Sequence, residues 1–183
     1  MGFVIEDGKG TSKKVGVSDG NRLLVESVSG TVEHTANTEG NAYHMLFQQT
    51  PSSSNTCFVY IENNSDTSIT IEGLYLRLGG TSQTEQIEVK LKVTGTPSGT
   101  DTTPVNCNTG SGAEADGVFV TGNNITGLSS GEIVERWYIE SSNTSVIFNF
   151  EQDIIIQKNT SIALYAVSGS NEIDGTIVFH YHN

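Results

Sequence analysis

The side chains able to do chemistry are few and scattered. Gly127-Leu128-Ser129-Ser130-Gly131 spells the G-x-S-x-G of a nucleophile elbow, and Asp153 or Asp174, then His180 or His182, follow in hydrolase order. That elbow works only where a strand turns sharply into a helix and lifts the serine hydroxyl clear. Residues 132–139 read instead as a strand, so a plain turn is expected at Ser129 and no catalytic residue. His180 and His182 stand two apart on a strand and share a face, where two imidazoles can hold a metal with His34 or His44 as third ligand. Ordinary polar-face or interface histidines account for the same spacing, and no metal site is expected. Glu114 and Asp116, and the acidic run over 171–174, offer hard oxygens to Ca²⁺ but lack EF-hand spacing. Gly8-Lys9-Gly10 has neither the third glycine of a dinucleotide fingerprint nor the Gly-Lys-Ser/Thr ending of a phosphate loop, so no cofactor is expected. Trp137, Tyr138, Tyr60, Tyr75 and Tyr165 carry rings that stack on sugars, although a lone Trp within a strand more often belongs to the core. Cys57 and Cys107 have neither zinc-site nor disulfide-framework spacing and read most simply as two separate thiols. No constellation survives as an active site. The expected function is binding or assembly, and the chain is not expected to be an enzyme.

The elements that would position these groups are strands. In 86–94, Ile87, Val89, Leu91 and Val93 alternate with Glu88, Lys90 and Lys92, which predicts one buried and one wet face. In 69–78 the apolar parity switches from Ile69 and Ile71 to Leu74, Leu76 and Leu78, with Gly73 at the switch. A β-bulge is therefore expected near Glu72-Gly73. Further strands are expected over 22–28, 42–48, 57–63, 117–121, 132–140, 146–151, 154–157, 161–168 and 175–182. The Gly- and Thr-rich stretch 95–116, with Pro97 and Pro104, is expected to be a long surface loop. About ten short strands without an amphipathic helix predict an all-β domain, a jelly-roll β-sandwich by its length. The run Ile162-Ala163-Leu164-Tyr165-Ala166-Val167 is apolar on both faces and calls for cover from both sides, within the fold or from a neighbouring subunit.

Composition agrees. Ser, Thr, Asn and Gly make up 76 of 183 residues, which favours turns and short strands over helices. The formal net charge of −12 makes nucleic acid a poor partner. No run approaches the length of a membrane span, and no membrane partner is expected. The charge is uneven. Residues 1–22 carry +1 and the remainder −13, so residues 1–20 read as an extended N-terminal arm ahead of a single β-sandwich domain over 21–183.

The stretch from Lys14 through Asp19-Gly20-Asn21-Arg22-Leu23 to Val28, followed by Gly40-Asn41-Ala42-Tyr43, resembles the start of small structural proteins of tailed bacteriophages. Residues 154–166, Ile-Ile-Ile-Gln-Lys-Asn-Thr-Ser-Ile-Ala-Leu-Tyr-Ala, resemble the closing strands of phage jelly-roll decoration and head-fibre proteins. The turn Lys158-Asn159 departs from the Pro-Gly or Lys-Gly usual there. This resemblance implies a capsid decoration (cement) protein that binds the major capsid protein, self-associates as a homotrimer and sits on the capsid exterior of a virion assembled in the host cytoplasm. It implies a docking role for Phe3, Val4, Ile5, Lys9, Lys13 and Lys14 of the arm. The alternative is a phage tail or receptor-binding module recognising host glycan.

Overall fold

In the computed structural model, described residues are 16–17, 23–24, 32–79, 84–140, 146–169 and 171–182, with the side chains of 16–17, 23–24, 32–34 and 151–153 left aside. The chain divides into two units, residues 1–31 and 32–183. In the first, β1 (Gly16–Val17) pairs antiparallel with β2 (Leu23–Leu24). The arm residues Phe3, Val4, Ile5, Lys9, Lys13 and Lys14 lie outside the described residues, as does most of the strand expected over 22–28.

The second unit holds α1 (Val32–Glu39) and eleven strands: β3 (Ala42–Gln49), β4 (Thr56–Asn63), β5 (Ile69–Leu78), β6 (Thr84–Leu91), β7 (Gly95–Asp101), β8 (Val105–Asn106), β9 (Gly117–Leu128), β10 (Glu132–Glu140), β11 (Val146–Ile156), β12 (Ser161–Ala166) and β13 (Ile173–Tyr181). They form two antiparallel sheets, ordered β10-β6-β12-β4-β9-β7 and β11-β5-β13-β3-β8. From β3 to β6, and again from β10 to β13, each strand lies in the sheet opposite its predecessor. The protein is thus an all-β sandwich, as the period-2 patterning requires.

Alternation builds the core. Tyr43, Met45 and Phe47 of β3, Ile177 and Phe179 of β13, and Leu74 and Leu76 of β5 point inward from one sheet; Phe58 and Ile61 of β4, Ile87 and Val89 of β6, and Ile162 and Leu164 of β12 meet them from the other. Ring pairs cross the gap: Phe47 with Phe58 at 5.7 Å, Phe119 stacked on Phe179 at 5.6 Å, and Trp137 stacked on Phe148 at 3.8 Å. Such aromatic pairs contribute beyond their buried area. The expected bulge is present: Val178 pairs with Gly73 and Phe179 with Ile71, leaving Glu72 as the extra residue. That insertion lets Ile69 and Ile71, then Leu74, Leu76 and Leu78, all enter one core.

The two-faced strand β12 is explained from within the chain. On the outer side of its sheet Ala163 and Tyr165 join Cys57 and Tyr60, packed among Val93, Val120 and Ile125. Lys90 Nζ lies 3.9 Å from the centre of the Tyr165 ring. A satellite core therefore occupies a face that a one-sided sandwich would leave wet.

Several expectations are corrected. Residues 95–116 are not one loop: they supply β7 and β8, because Ser98, Thr100 and Asp101 pair with Thr126, Thr121 and Val120 of a long, irregular β9. The strands expected over 146–151 and 154–157 are a single β11 whose register shifts between Asn149 and Ile154. The predicted wet face of β6 is only partly wet. Glu88 is buried, because Arg136 of the neighbouring β10 reaches its Oε1 at 2.5 Å and Lys90 its Oε2 at 3.3 Å. The helix α1 was not expected either. It ends in a Schellman motif, with Asn41 N–H donating to Ala36 C=O (2.7 Å), Gly40 N–H donating to Asn37 C=O (3.0 Å), and Gly40 at φ +78°.

Candidate functional site

Outward-facing residues of the five-stranded sheet fall into cross-strand rows, because directly paired residues of an antiparallel ladder share a face. One row is Leu46 of β3, Thr176 of β13, Tyr75 of β5 and Ile147 of β11. Leu46 is 60% exposed, Tyr75 42% and Ile147 62%. A row of large apolar groups left in water is informative in a way that a single exposed leucine is not. Beside it Arg77 Nη2 donates to Asp174 Oδ2 at 2.8 Å, and these residues line a shallow depression with Leu46, Tyr75 and Thr176.

The other end of the same face lies beneath α1, which buries Ala36 and packs against β3 and β13. Here the row is Ala42, His180, Thr70 and Ile155. His180 is 1% exposed, so of the expected polar-face or interface placements the solvent-facing one does not hold for it. Its Nδ1 lies 2.8 Å from Glu72 Oε1, close but not aligned as a hydrogen bond, and its ring is 4.8 Å from that of His182. Burial, then the neighbouring His182, push the His180 imidazole below its ordinary pKa. The neutral ring shares a recess of about 260 Å³ with Asn37, His44, Glu72 and Cys107. Among the described residues no three His, Cys, Asp or Glu side chains stand in metal-holding geometry, and the His34 side chain lies outside them.

The other sequence candidates are not brought together. Ser129 sits in the β9–β10 turn, where its Oγ accepts from Thr94 N–H (2.9 Å) and Thr94 Oγ1–H (3.2 Å). Asp174 and His180 belong to β13 of the other sheet. The glycines of the string serve the turn: Gly127 and Gly131 have φ of +81° and +62°. Glu114 and Asp116 are exposed, and the Asp116 carbonyl accepts from Tyr181 Oη. Of the aromatic set, Trp137 stacks on Phe148 and tilts against Phe150, Tyr60 and Tyr165 lie in the satellite core, and only Tyr75 and Tyr138 stand exposed. Cys57 and Cys107 are not disulfide-bonded and belong to opposite sheets, Cys57 in β4 and Cys107 directly after β8.

Charge separates the sheet face from the rest of the body. Residues 32–183 hold five Lys and Arg against 17 Asp and Glu. All five cations are already paired: Arg77 with Asp174, Lys90 and Arg136 with Glu88, Lys92 with Glu132, and Lys158 with Asp66. The acidic excess is uncompensated, yet the row of Leu46, Thr176, Tyr75 and Ile147 contains no acid at all.

Comparison with family models, curated proteins and solved structures finds no match. The outer sheet face is the feature of this chain best suited to recognition. Sequence reading passed over Leu46 and Ile147, although each is an apolar residue at a solvent-facing parity position of its strand.

Proposed function

We propose that this chain is a structural virion protein, a capsid decoration (cement) protein whose β-sandwich body seats on the major capsid shell with its acidic surfaces toward solvent. The observation that carries this reading is the uncovered, uncharged row of Leu46, Tyr75 and Ile147 on an otherwise acidic body. A flat sheet face of this kind suits extended contact with another protein surface better than it suits enclosure of a small molecule. The strand orders β11-β5-β13-β3 and β10-β6-β12-β4, with successive strands alternating between sheets, support reading the sandwich as a jelly roll. In that reading β7 and β9 extend one edge and β8 the other.

The arm residues Phe3, Val4, Ile5, Lys9, Lys13 and Lys14 are assigned the second contact with the shell, and a trimeric body makes docking multivalent. The glycan-binding alternative relied on exposed rings. Trp137 has one face occupied by Phe148, which leaves that alternative with Tyr75 and Tyr138 on different sheets.

Quantitative mass spectrometry of purified virions tests the proposal. A copy number comparable to that of the major capsid protein is expected. A handful of copies per particle would move the chain to the tail, and absence from particles would overturn the reading. Deleting residues 2–20 should weaken binding to undecorated shells, and unchanged binding would remove the arm's assigned role.

A further inference from the structure

Among the described residues the sandwich has β10 and β7 at the edges of its six-stranded sheet, and β11 and β8 at the edges of the five-stranded one. An edge offers free backbone N–H and C=O groups to another strand unless something blunts it. Three of these edges are blunted. β8 has only two residues, β7 carries Pro97 and shifts register twice along β9, and β11 breaks register between Asn149 and Ile154. β10 shifts only near its start, between Ile133 and Glu135. From Arg136 to Glu140 it pairs with β6 without interruption, contains neither Pro nor Gly, and has its other side unpaired.

The side chains of this stretch are complementary to their own copy. Arg136, Tyr138 and Glu140 pair with Glu88, Gln86 and Thr84 and take the outer face, while Trp137 and Ile139 take the inner one. Tyr138 is 71% exposed. Arg136 donates to Glu88 through Nε and Nη2 yet stays half-exposed. Glu88 also receives Lys90, so one carboxylate answers two cations and the group keeps one positive charge in excess. Glu140 is exposed and forms no ion pair among the described residues. A strand paired antiparallel with its copy about a two-fold axis sets residue i against j and j against i on one face. With the axis at Tyr138, Arg136 meets Glu140 of the second copy, Glu140 meets its Arg136, and the two Tyr138 rings meet between them. An axis at Arg136 or Glu140 opposes like charges. An axis at Trp137 or Ile139 sets a tyrosine against one charge and leaves the other unanswered. Of the remaining acids, Glu132 is held by Lys92. Glu135 lies on the inner face three residues from the axis, so its two copies stay about 20 Å apart and are screened from each other.

We propose that β10 pairs antiparallel with β10 of a second copy of this chain, with Tyr138 on the two-fold axis and reciprocal Arg136–Glu140 contacts on either side, joining the two six-stranded sheets edge to edge. Opposite charges and aromatic rings directly across a strand pair both favour that pairing. The contact closes at two subunits. It uses neither the Leu46, Tyr75 and Ile147 face nor the arm, so it goes beyond the capsid reading and leaves both free for the shell. A chain that coats shells without pairing sinks only this inference. A chain that pairs but is missing from particles sinks only that reading.

Disulfide trapping on the full-length protein decides it, in a Cys107→Ser background that removes the half-exposed native thiol. Tyr138→Cys places one thiol of each copy at the axis, with Cα atoms roughly 5 Å apart and within disulfide range. Ile133→Cys lies on the same strand five residues away, which puts its two copies about 30 Å apart. Under mild oxidation Tyr138→Cys should form a covalent dimer, and Ile133→Cys at least about tenfold less of it. Adding Glu140→Lys turns both reciprocal contacts into repulsions and should lower the Tyr138→Cys yield at least about fivefold. In sedimentation velocity, wild type at about 0.1 mM should run as an even multiple of 19.6 kDa. Equal linking of the two cysteine variants, a yield unmoved by Glu140→Lys, or a wild type that sediments as a monomer or trimer overturns the proposal. All three substituted β10 residues are exposed, and far-UV circular dichroism confirms that each variant is folded.

Discussion

Replacing Glu85 by Ala is expected to be among the most damaging single changes to this fold. Glu85 is fully buried at the start of β6. Its Oε1 accepts from the backbone N–H groups of Gln86 (3.1 Å), Ser168 (2.8 Å) and Gly169 (3.3 Å), and its Oε2 from Asn171 Nδ2 (3.0 Å). Asn171 Nδ2 also donates to Thr84 C=O at 3.1 Å, so one carboxylate ties β6 to the turn between β12 and β13. Hydrogen bonds to a charged group contribute about 1.5–3 kcal/mol each, and the orphaned donors must otherwise find water. Counting only the Ser168 and Asn171 bonds, at the low end because that turn borders solvent, gives about 3 kcal/mol. For a chain of this size that lowers Tm by about 6–12 °C. Glu85→Gln keeps one acceptor for the amides but turns an NH₂ toward Asn171, and should cost about half as much. Urea unfolding with an unchanged m-value is the assay. Glu132→Ala is the control, because the Glu132–Lys92 pair is exposed on both sides and should move stability by no more than about 0.5 kcal/mol. If Glu85→Ala falls within about 1 kcal/mol of wild type, water replaces the carboxylate and the reasoning is wrong.

Burial depresses the pKa of His180, so the unfolded chain takes up a proton near pH 6.5 that the folded protein resists. Stability is therefore fully present above that pH and is lost as pH falls below it, at no more than about 1.4 kcal/mol per unit for one proton. The difference between wild type and His180→Gln in denaturant titrations from pH 7.5 to 5 should shrink toward acid, and parallel profiles would refute this. Gly127→Ala should destabilise by about 1–3 kcal/mol, since φ is +81° and a Cβ would lie 2.3 Å from the Thr96 carbonyl oxygen; wild-type melting would contradict it. Ser129→Ala should cost only about 1 kcal/mol, the worth of its bonds to Thr94. Burial pushes the Cys57 thiol up to about 12, so a thiolate-directed reagent at neutral pH should modify half-exposed Cys107 well before Cys57, as peptide mass spectrometry will show. Equal labelling rates would contradict the packing of β4.

The strands were legible where burial follows period 2. Tyr43, Met45 and Phe47 alternate with exposed partners, and the parity break at Glu72-Gly73 located the bulge. The helix was not legible, since Val-Glu-His-Thr-Ala-Asn-Thr-Glu carries no apolar stripe and, of its described side chains, only Ala36 is buried. Gly40 was a usable stop signal with nothing before it to stop. Residues 95–101 looked like loop because a Gly- and Thr-rich edge strand buries almost nothing, and only its pairing with β9 makes it a strand. Glu88 looked wet because Arg136 lies 48 positions away, and His180 because Glu72 lies 108 away. The exposed row of Leu46, Tyr75 and Ile147 needs the register of three ladders before it exists at all.

The complete pairing of the five cations of residues 32–183 leaves that unit, among its described residues, a polyanion with no unpaired cation. Dissolved ions then become a control on encounter. In dilute buffer the fields of two approaching bodies overlap across about 30 Å, while near physiological ionic strength they reach only about 8 Å. Salt thus acts chiefly on the rate at which such a body meets a charged partner. Added ions therefore shorten the range over which two such acidic bodies repel each other.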